Sequence, residues 1–390
     1  KLLSVEGAYR YSKYKGGIST DTYKLGVNWS PVRDLRFRAS YQRAVRAPNL
    51  IELYAPQIRP QNSIQLPINA NGTYDPCSGP TPFATFEQCA RTGVTAAQYG
   101  NIADYNFFGA LNGGNPDLQP ETGKTKSLGA VFEPSFIPGF TASLDYFDIK
   151  VTNLIGRVAP VLALAQCLNT GDPYFCSLIH RGQGGTLHAT DDSYFKTVNV
   201  NTGSLRTAGV DVALNYRLDT ERVFGNDLGR LSFSLNGTYV DKFTTKPLPS
   251  SSAAETYNCA GYYAFLCGSP HPKWRHVFAT TWDTPWDLGF TLTWRYIDTV
   301  KIARSSGQAA LQGSFAQVDY KLPAQSYFDL SAAWYATEKM TLRAGINNLL
   351  DRSPPLTSQA TSEFGGNLNT FPAYYDALGR FLFVSAQIDF

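Results

Sequence analysis

The sequence predicts an all-β protein whose antiparallel strands cross a membrane as part of a barrel. Segments of about ten residues alternate between apolar and polar side chains, and a tilted strand needs about that length to cross a bilayer. The connections between these segments alternate between short turns and long loops. Aromatic residues make up 14% of the chain and charged residues only 17%, whereas soluble proteins carry about 25% charged residues.

Composition excludes several other classes of protein. The sequence contains one methionine, 33 glycines and 23 prolines, a composition that suits strands and turns better than helices. The net charge of +3 is too small and too dispersed to indicate a nucleic-acid partner. The sequence has no uninterrupted apolar run of about 20 residues, so it predicts no membrane-spanning helix.

The alternating segments define about twelve strands. In the second, Tyr23, Leu25 and Trp29 share one face, and Lys24 and Asn28 share the other. Such a strand suits lipid on one side and a barrel lumen on the other. The predicted strands are 1–13, 20–30, 34–46, 121–133, 138–152, 195–219, 228–242, 271–284, 286–302, 324–336, 339–350 and 379–390. The long run 195–219 is expected to contain a bulge near Asn201–Gly203 or to split into a small hairpin.

The connections fall into two length classes. Short turns are predicted at Ser30–Asp34, Pro134–Gly139, Thr284–Asp287 and Ala336–Lys339. Long loops, expected to be extracellular, cover about 47–120, 153–194, 243–270, 303–323 and 351–378. Short turns on one side and long loops on the other are typical of an outer-membrane barrel. A soluble β-sandwich also alternates, but its loops do not segregate by length in this way.

The six cysteines form three close pairs, all in the long segments between strands. None has CxxC spacing, and no histidine lies at zinc-finger spacing beside them. We therefore predict local disulfides in an oxidising compartment, with free thiols in a cytosolic protein as the alternative. The pairs are Cys77 with Cys89, Cys167 with Cys176, and Cys259 with Cys267.

Four stretches together resemble the TonB-dependent outer-membrane receptor family of Gram-negative bacteria. They are RAVRAPNLIELYAP (Arg43–Pro56), NPDLQPETGKTKSLGAVF (Asn115–Phe132), GINNLLDR (Gly345–Arg352) and the terminal YDALGRFLFVSAQIDF. In the third stretch Leu350 replaces the usual aromatic residue. Each motif alone is weak, but in this order, with alternating strands between them, they cover essentially the whole chain.

The resemblance implies a cell outer membrane protein that belongs to a barrel of about 22 strands with a plug in its lumen. Such receptors take up scarce ligands with energy passed through TonB. A ferric siderophore is the family default, and cobalamin and saccharides are the alternatives. The resemblance also implies that the barrel-assembly machinery reads the terminal strand, with Phe390 as the assembly signal. Membrane lipid and lipopolysaccharide are the expected surroundings.

We expect residues 1–390 to be the C-terminal portion of such a barrel. The sequence shows no plug and no TonB-contacting segment, and about ten strands of the family barrel are not in it. An open barrel edge is not tolerated in lipid. The plug and the N-terminal strands are therefore expected as unlisted sequence or as a separate chain, and TonB would be contacted through that N-terminal region.

The candidate ligand-binding residues lie in the long loops and the upper lumen. Exposed rings near Asn and Gln suit sugar rings or planar chelators, by stacking and hydrogen bonding. The alternative is that these rings pack the loops together or lie at the lipopolysaccharide boundary. The aromatic candidates are Tyr105, Phe107, Phe108, Tyr262, Tyr263, Phe265, Tyr374 and Tyr375.

Arginines on the predicted lumen face are the second group of candidates. Arg36, Arg38 and Arg295 could attract an anionic ligand such as a ferric chelate. The alternative is that they pair with carboxylates of the wall or the plug. At the rim, the neighbouring strands predict a structural contact of Arg43 or Arg46 with Glu121.

No pattern in the sequence indicates an enzyme, a metal site or a cofactor. The four histidines lack HExxH spacing, and no nucleophile elbow or Walker loop is present. Three functions therefore remain open: TonB-dependent import, passive diffusion through a porin, and a surface barrel whose loops bind a partner.

Overall fold

The structure is a computed structural model that describes residues 2–14, 17–59, 72–188, 190, 192–221, 225–248, 255–359 and 369–389. Phe390, the predicted assembly signal, lies outside the described residues.

Twelve long strands form one antiparallel sheet, in which consecutive strands along the chain are neighbours. They are β1 (Leu3–Lys13), β2 (Ser19–Val32), β3 (Leu35–Arg46), β4 (Glu121–Phe132), β5 (Phe140–Thr152), β6 (Ser204–Asp219), β7 (Arg230–Lys246), β8 (Trp274–Asp283), β9 (Leu288–Ile297), β10 (Gln325–Thr337), β11 (Met340–Asn347) and β12 (Phe381–Ile388). The all-β antiparallel prediction and the number of strands are thus confirmed. Within the described part of the chain, β1 and β12 form the two edges of the sheet.

The predicted strand 195–219 is interrupted in its upper part, next to the Asn201–Gly203 stretch where a bulge or a split was expected. Only Ser204–Asp219 of the predicted 195–219 segment joins the sheet. Tyr194–Lys196 and Val200–Asn201 pair instead with short strands of the loops. At the break, a Cβ atom on Gly203 would lie 1.9 Å from the carbonyl oxygen of Lys246. Only glycine allows this close approach, so the break falls where the sequence has Gly203.

Strand register gives the sheet one continuous apolar face. Leu292 of β9 lies opposite Leu330 of β10, Leu330 opposite Ile346 of β11, and Ile346 opposite Leu382 of β12. Large apolar side chains on this face are exposed. Residues of this kind are stable on a surface that contacts hydrocarbon. We call this surface the apolar face.

The opposite surface, the polar face, pairs hydrophilic side chains across strands. Ser40 and Ser127 are joined by a 2.8 Å hydrogen bond between their hydroxyls. Arg38 of β3 reaches past β4 to Asp145 of β5, with its Nε 2.6 Å from Oδ1. Period-2 alternation therefore separates two environments across the sheet, as the sequence predicted.

The two ends of the sheet differ in their connections. The short-turn end has the connections 33–34, 133–139, 220–229, 284–287 and 338–339. The long-loop end has 47–120, 153–203, 247–273, 298–324 and 348–380, together with the short 14–18 connection. At the short-turn end the Asp34 carboxylate accepts hydrogen bonds from the backbone N–H and the hydroxyl of Ser135, both at 3.0 Å, and so joins neighbouring turns.

Apart from the helical residues Thr220 and Glu221 at the short-turn end, the helices of the described residues lie in connections at the long-loop end. They are α1 (Leu50–Tyr54), α2 (Phe86–Arg91), α3 (Pro160–Thr170), α4 (Pro173–Cys176) and the 3₁₀ turns Gln183–Gly185, Phe265–Cys267, Ala303–Ser305 and Gln317–Asp319. Pro160 at the first position of α3 and Gly171 (φ 68°) after its last residue suit the start and end of a helix. Among the described residues no helix has the length and apolar character needed to span a membrane.

Short strands tie the loops together. They are Ala110–Leu111, Ile155–Gly156, Ile179–His180, Tyr194–Lys196, Val200–Asn201, Tyr257–Asn258, Tyr262–Tyr263, Val300–Ile302 and Lys321–Leu322. The predicted strand 286–302 therefore ends at Ile297, because Val300–Ile302 pairs with two other loop segments. The long loops thus have a folded structure of their own.

Candidate functional site

The loops at the long-loop end form two bodies with separate apolar cores. Loop body A consists of residues 72–120 and 153–203. Its core contains side chains from both loops, together with Leu248 from the following loop. Buried core members include Ile102, Phe108, Leu164, Leu168, Phe175, Leu187 and Phe195. Because such a core buries apolar area as a small domain does, the body can hold a fixed surface toward a ligand.

Disulfides connect the predicted cysteine pairs within the loops. Cys77–Cys89 and Cys167–Cys176 lie in loop body A, and Cys259–Cys267 lies in the loop after β7. The sulfur-bearing side chains of Cys77, Cys89 and Cys167 are fully buried. Covalent staples beneath a surface restrict the unfolded loop and favour one arrangement of that surface.

We expect replacement of Cys77 and Cys89 by serine to destabilise loop body A by about 2–4 kcal/mol. The loop-closing constraint disappears, and two hydroxyls enter an apolar core. Hydrogen exchange of residues 72–120 would measure the loss, with the Cys259→Ser and Cys267→Ser double variant as the control outside loop body A. Non-reducing peptide mapping should show the crosslinks 77–89, 167–176 and 259–267, and a crosslink between loop bodies would contradict the assignment.

An ion pair inside loop body A joins its two loops. The guanidinium of Arg181 donates to both carboxylate oxygens of Asp75, at 2.6 and 3.1 Å. Their side chains are only 3% and 2% exposed. Arg181 also donates to the Thr92 hydroxyl and the Gly185 carbonyl. This fully satisfied network fixes how the two loops meet.

Loop body B is built from residues 255–273, 298–324, 348–359 and 369–380. One of its cores contains Tyr263, Val300, Ile302, Leu322 and Tyr375, and another surrounds Cys259 and Cys267. The buried Asp319 carboxylate accepts hydrogen bonds from the side chains of Thr357 and Ser358. Three loops therefore meet in one packed unit.

The three aromatic candidates of loop body A have different surroundings. Tyr105 is exposed and stacks on His188, with ring centroids 4.1 Å apart. Phe107 is exposed as well, and its carbonyl lies 3.2 Å from Nδ1 of the same histidine. Phe108 is buried and packs edge-on against Phe195. Phe108 therefore follows the packing alternative, whereas Tyr105 and Phe107 present ring surface to the outside.

The candidates of loop body B divide in the same way. Tyr263 and Tyr375 are buried in its core, and burial raises the pKa of both phenols. Tyr262 and Tyr374 are half-buried and pack against the cores. Phe265 is exposed, and the Arg304 guanidinium lies 3.6 Å from its ring centroid. Phe265 thus offers a ring next to a cation.

The arginine candidates lie on the polar face. Arg36 is exposed. Arg38 pairs with Asp145, as described above. Arg295 pairs with Asp329 at 2.7 Å and with Asp376 of loop body B at 3.5 Å. Arg38 and Arg295 therefore pair with carboxylates of the barrel wall, which was the alternative to ligand binding. Arg295 also connects loop body B to the sheet.

The predicted contact at the rim is present through Arg46. Its Nε lies 2.6 Å from Glu121, and its Nη1 lies 2.9 Å from Glu52. Glu52 also completes the capping box of α1 with Asn49. Arg43 instead donates to the backbone carbonyl of Asp21. The RAPNLIEL stretch therefore makes a structural corner where β3 enters its long loop.

Three cations beside rings, Arg59, Lys301 and Arg304, were not among the sequence candidates. Arg304 lies over Phe265, and Arg59 lies 4.1 Å from the ring centroid of Tyr194. Tyr194 in turn stacks on His180 at 4.3 Å. Burial, helped by the charges of Lys196 and Arg59, lowers the pKa of His180 and favours the neutral imidazole. The stack joins residues far apart in the chain, so no local signal could have identified it.

The described residues contain no group of three or more His, Cys, Asp or Glu side chains arranged to hold a metal ion. The loop surfaces offer rings, cations and amides for non-covalent binding. A membrane-spanning antiparallel sheet that carries such folded loops at one end defines an outer-membrane barrel receptor.

The family follows from the sequence comparison. The family model described as TonB dependent receptor-like, beta-barrel, matches residues 2–349, and the chain belongs to this family. It is a family of outer-membrane receptors and transporters, not of enzymes. A search of curated proteins gives no significant match.

Solved structures of the same fold include two receptors and an iron transporter. A variant of the ferric enterobactin receptor of Pseudomonas aeruginosa, in complex with enterobactin, aligns with 99% of this chain and 43% of its own at TM-score 0.62 and 16% identity. The siderophore receptor PirA of Acinetobacter baumannii aligns with 100% of this chain and 44% of its own at TM-score 0.57 and 15% identity. The FrpB iron transporter of Neisseria meningitidis aligns with 100% of this chain and 43% of its own at TM-score 0.52 and 12% identity. The chain thus spans less than half the length of these structures.

Proposed function

We propose that this protein takes part in TonB-dependent uptake of a ferric siderophore, with the long-loop end facing outward. Family membership supports active uptake through a plugged barrel. Three structural neighbours at low identity are named as a ferric enterobactin receptor, a siderophore receptor and an iron transporter. The observation that carries the ligand proposal is the pairing of cations with rings on both loop bodies.

Those pairs suit an anionic ligand with planar chelating groups. Arg304 at Phe265 and Arg59 at Tyr194 place positive charge beside aromatic ring surface. Cations raise the local concentration of an anion, and rings stack on planar groups. Tyr105 and Phe107 add further exposed ring surface.

The fixed shape of the loop bodies supports tight binding at low ligand concentration. Disulfides, the Asp75–Arg181 pair and the Asp319 hydrogen bonds hold the loops without a ligand. A surface that is already ordered loses little conformational entropy on binding. This property suits a receptor for a scarce nutrient.

The test is uptake of radioactive iron by a siderophore-receptor-deficient Gram-negative host that expresses the full-length gene product carrying this chain. We expect accumulation of a ferric siderophore only when the host TonB is functional. Permeation without TonB would instead indicate a passive porin, and binding without uptake would indicate a surface-binding barrel. TonB-dependent uptake of a saccharide or cobalamin, without iron uptake, would contradict the proposed ligand and support the proposed mechanism.

Within this proposal, the Arg304→Gln variant should bind a ferric siderophore about tenfold more weakly, because a charge-assisted contact is lost. Fluorescence titration of the purified receptor would give the Kd. Arg33→Gln, an exposed arginine at the short-turn end, is the matched control and should leave the Kd unchanged. Equal loss in both variants would mean that charge acts from a distance and not at loop body B.

A further inference from the structure

The apolar face carries a dense group of cations at the long-loop end of four adjacent strands. Lys124 and Lys126 belong to β4, Lys150 to β5, Arg206 to β6 and Lys242 to β7. We call these five residues the basic patch. Their positions follow from the register of the sheet.

Register places the five side chains on one surface in two rows. Lys124 lies opposite Lys150, and Lys150 lies opposite Arg206. In the next row, Lys126 lies opposite Asp148 and Asp148 lies opposite Ala208. Ala208 in turn lies opposite Lys242. Residues that face each other across a strand pair point to the same side of a sheet.

A β-bulge in β7 contributes one member of the patch. Val240 pairs with Gly209 and Lys242 pairs with Ala208, so Asp241 is an extra residue. Without the bulge, strict alternation from Tyr239 would place Asp241 on the apolar face and Lys242 on the polar face. The bulge reverses this and brings a cation to the membrane side.

Carboxylates near the basic patch neutralise only part of its charge. Asp148 is the carboxylate within the two rows, and it is engaged by Arg206 through bonds of 2.8 and 2.6 Å. Lys126 and Lys242 are close enough to interact electrostatically with it. Lys242 also lies 4.0 Å from the carboxylate of its neighbour Asp241. Five cations thus have two carboxylates near them, and adjacent like charges are unfavourable on a sheet unless enough counter-charge is present.

Apolar side chains lie directly below the patch. Leu128, Leu144 and Tyr146 are exposed on the same face. Leu128 and Tyr146 lie two residues along their strands from Lys126 and Asp148, and Leu144 lies two residues beyond Tyr146. Two residues of a strand cover about 7 Å. The cations therefore lie where hydrocarbon gives way to headgroups, and lysine and arginine stems reach into that zone easily.

On β3, Arg43 lies opposite Lys124 on the same face. Strands β8 and β9 and the other end of this face differ in character. At the long-loop end, β8 and β9 carry Trp274, His276, Trp294 and Tyr296 in mutual contact. At the short-turn end, the strands that form the basic patch carry the aromatic residues Phe132, Phe140, Tyr216 and Phe233. Aromatic residues are the usual interface belt, and the cations of the basic patch are an addition to it at the long-loop end.

We propose that the basic patch binds the phosphate groups of an anionic lipid in the leaflet on the long-loop side. The acyl chains of that lipid would lie against Leu128, Leu144 and Tyr146. A phosphate group supplies the negative counter-charge that much of the basic patch lacks. Each lysine or arginine near an anionic membrane surface contributes about 1 kcal/mol to binding. This inference depends on membrane insertion and not on the ligand that the receptor imports.

The first test uses the wild-type full-length protein purified in detergent. Native mass spectrometry should show binding of lipid A with its phosphates intact and much weaker binding of lipid A stripped of them. Binding should also weaken as salt is added. Equal binding of the two lipids would overturn the proposal, whatever the behaviour of any variant.

The second test removes charge from the patch. The triple variant Lys124→Gln, Lys126→Gln, Lys150→Gln should bind phosphorylated lipid A about 100-fold more weakly. The matched control Arg33→Gln, Lys339→Gln, Arg343→Gln removes three exposed cations at the other end or on the polar face and should bind normally. If the triple variant fails to assemble, the Lys→Arg triple, which keeps the charge, should assemble and bind. Normal binding by the glutamine triple would contradict the proposal.

Discussion

Replacement of Arg181 by methionine is expected to destabilise loop body A by about 3–5 kcal/mol and to leave the twelve-stranded sheet intact. The substitution leaves the Asp75 carboxylate buried without a counter-charge. It also removes the donors that Arg181 gives to Thr92 and Gly185. Breaking one side of a buried pair costs far more than the pair contributes, since the remaining charge cannot regain water.

Hydrogen exchange of residues 72–120 and 153–203 would measure this effect. Protection there should fall by about a hundredfold or more, and protection of the strands should not change. Arg230→Met is the control, because Arg230 and Asp219 form an ion pair that is more than half exposed on both sides. Surface pairs of that kind contribute about 0–1 kcal/mol. An equal effect of the two substitutions would contradict the proposed role of burial.

A second substitution separates the charge from the packing. In the Asp75→Leu, Arg181→Met variant no unpaired charge remains, so loop body A should regain much of its stability relative to Arg181→Met. Recovery should be incomplete, because the backbone N–H of Cys77 loses the Asp75 oxygen that accepts it at 3.0 Å. A double variant less stable than Arg181→Met would show that the pair acts through its hydrogen bonds and not through its charge.

The sheet could be predicted from the sequence because a strand with two different environments shows its period in every second residue. Segments such as 20–30 and 34–46 have this pattern within themselves, so each strand was found without knowledge of its neighbours. The break at Gly203 could not be found in that way. It depends on the close approach of Lys246, which is brought there by the pairing of β6 with β7.

The candidate site was predicted less completely, because a loop ring looks the same in sequence whether it is buried or exposed. Phe107 and Phe108 are adjacent in the chain, yet one is exposed and the other lies in a core. Tyr263 and Phe265 are only two positions apart, yet Tyr263 is buried and Phe265 is exposed. Cations beside rings, such as Arg59 at Tyr194, join residues that only the folded loops bring together.

The Asp319 carboxylate is the second centre on which loop stability should depend. It has no exposed surface, and Oδ1 accepts 2.8 Å hydrogen bonds from the Thr357 hydroxyl and the Ser358 backbone N–H. Oδ2 accepts from the Ser358 hydroxyl and the Gln359 amide. Asp319→Ala leaves these donors without their acceptor. We therefore expect the free energy that holds residues 357–359 against the rest of loop body B to fall by about 3 kcal/mol.

Acid should release the same contact. Burial by itself would raise the pKa of Asp319, but hydrogen bonds from Ser358, Thr357 and Gln359 outweigh it and hold the pKa below its usual value. A carboxyl with a depressed pKa stabilises the folded state fully above the unfolded pKa of about 3.9. That stability is lost as the pH falls below this value and through the folded pKa. The 348–359 segment should therefore remain attached at neutral pH and detach below about pH 4.

Nitroxide labels at the exposed positions Val318 and Leu356 would report the detachment. Spin–spin broadening should persist from pH 8 to about pH 4, disappear on further acidification and return on neutralisation. The Asp319→Ala variant should lack the broadening at every pH, whereas Glu338→Gln, an exposed acid in a short turn, should behave as the wild type. Broadening that survives in Asp319→Ala would mean that the apolar core of loop body B, and not this carboxylate, holds the segment.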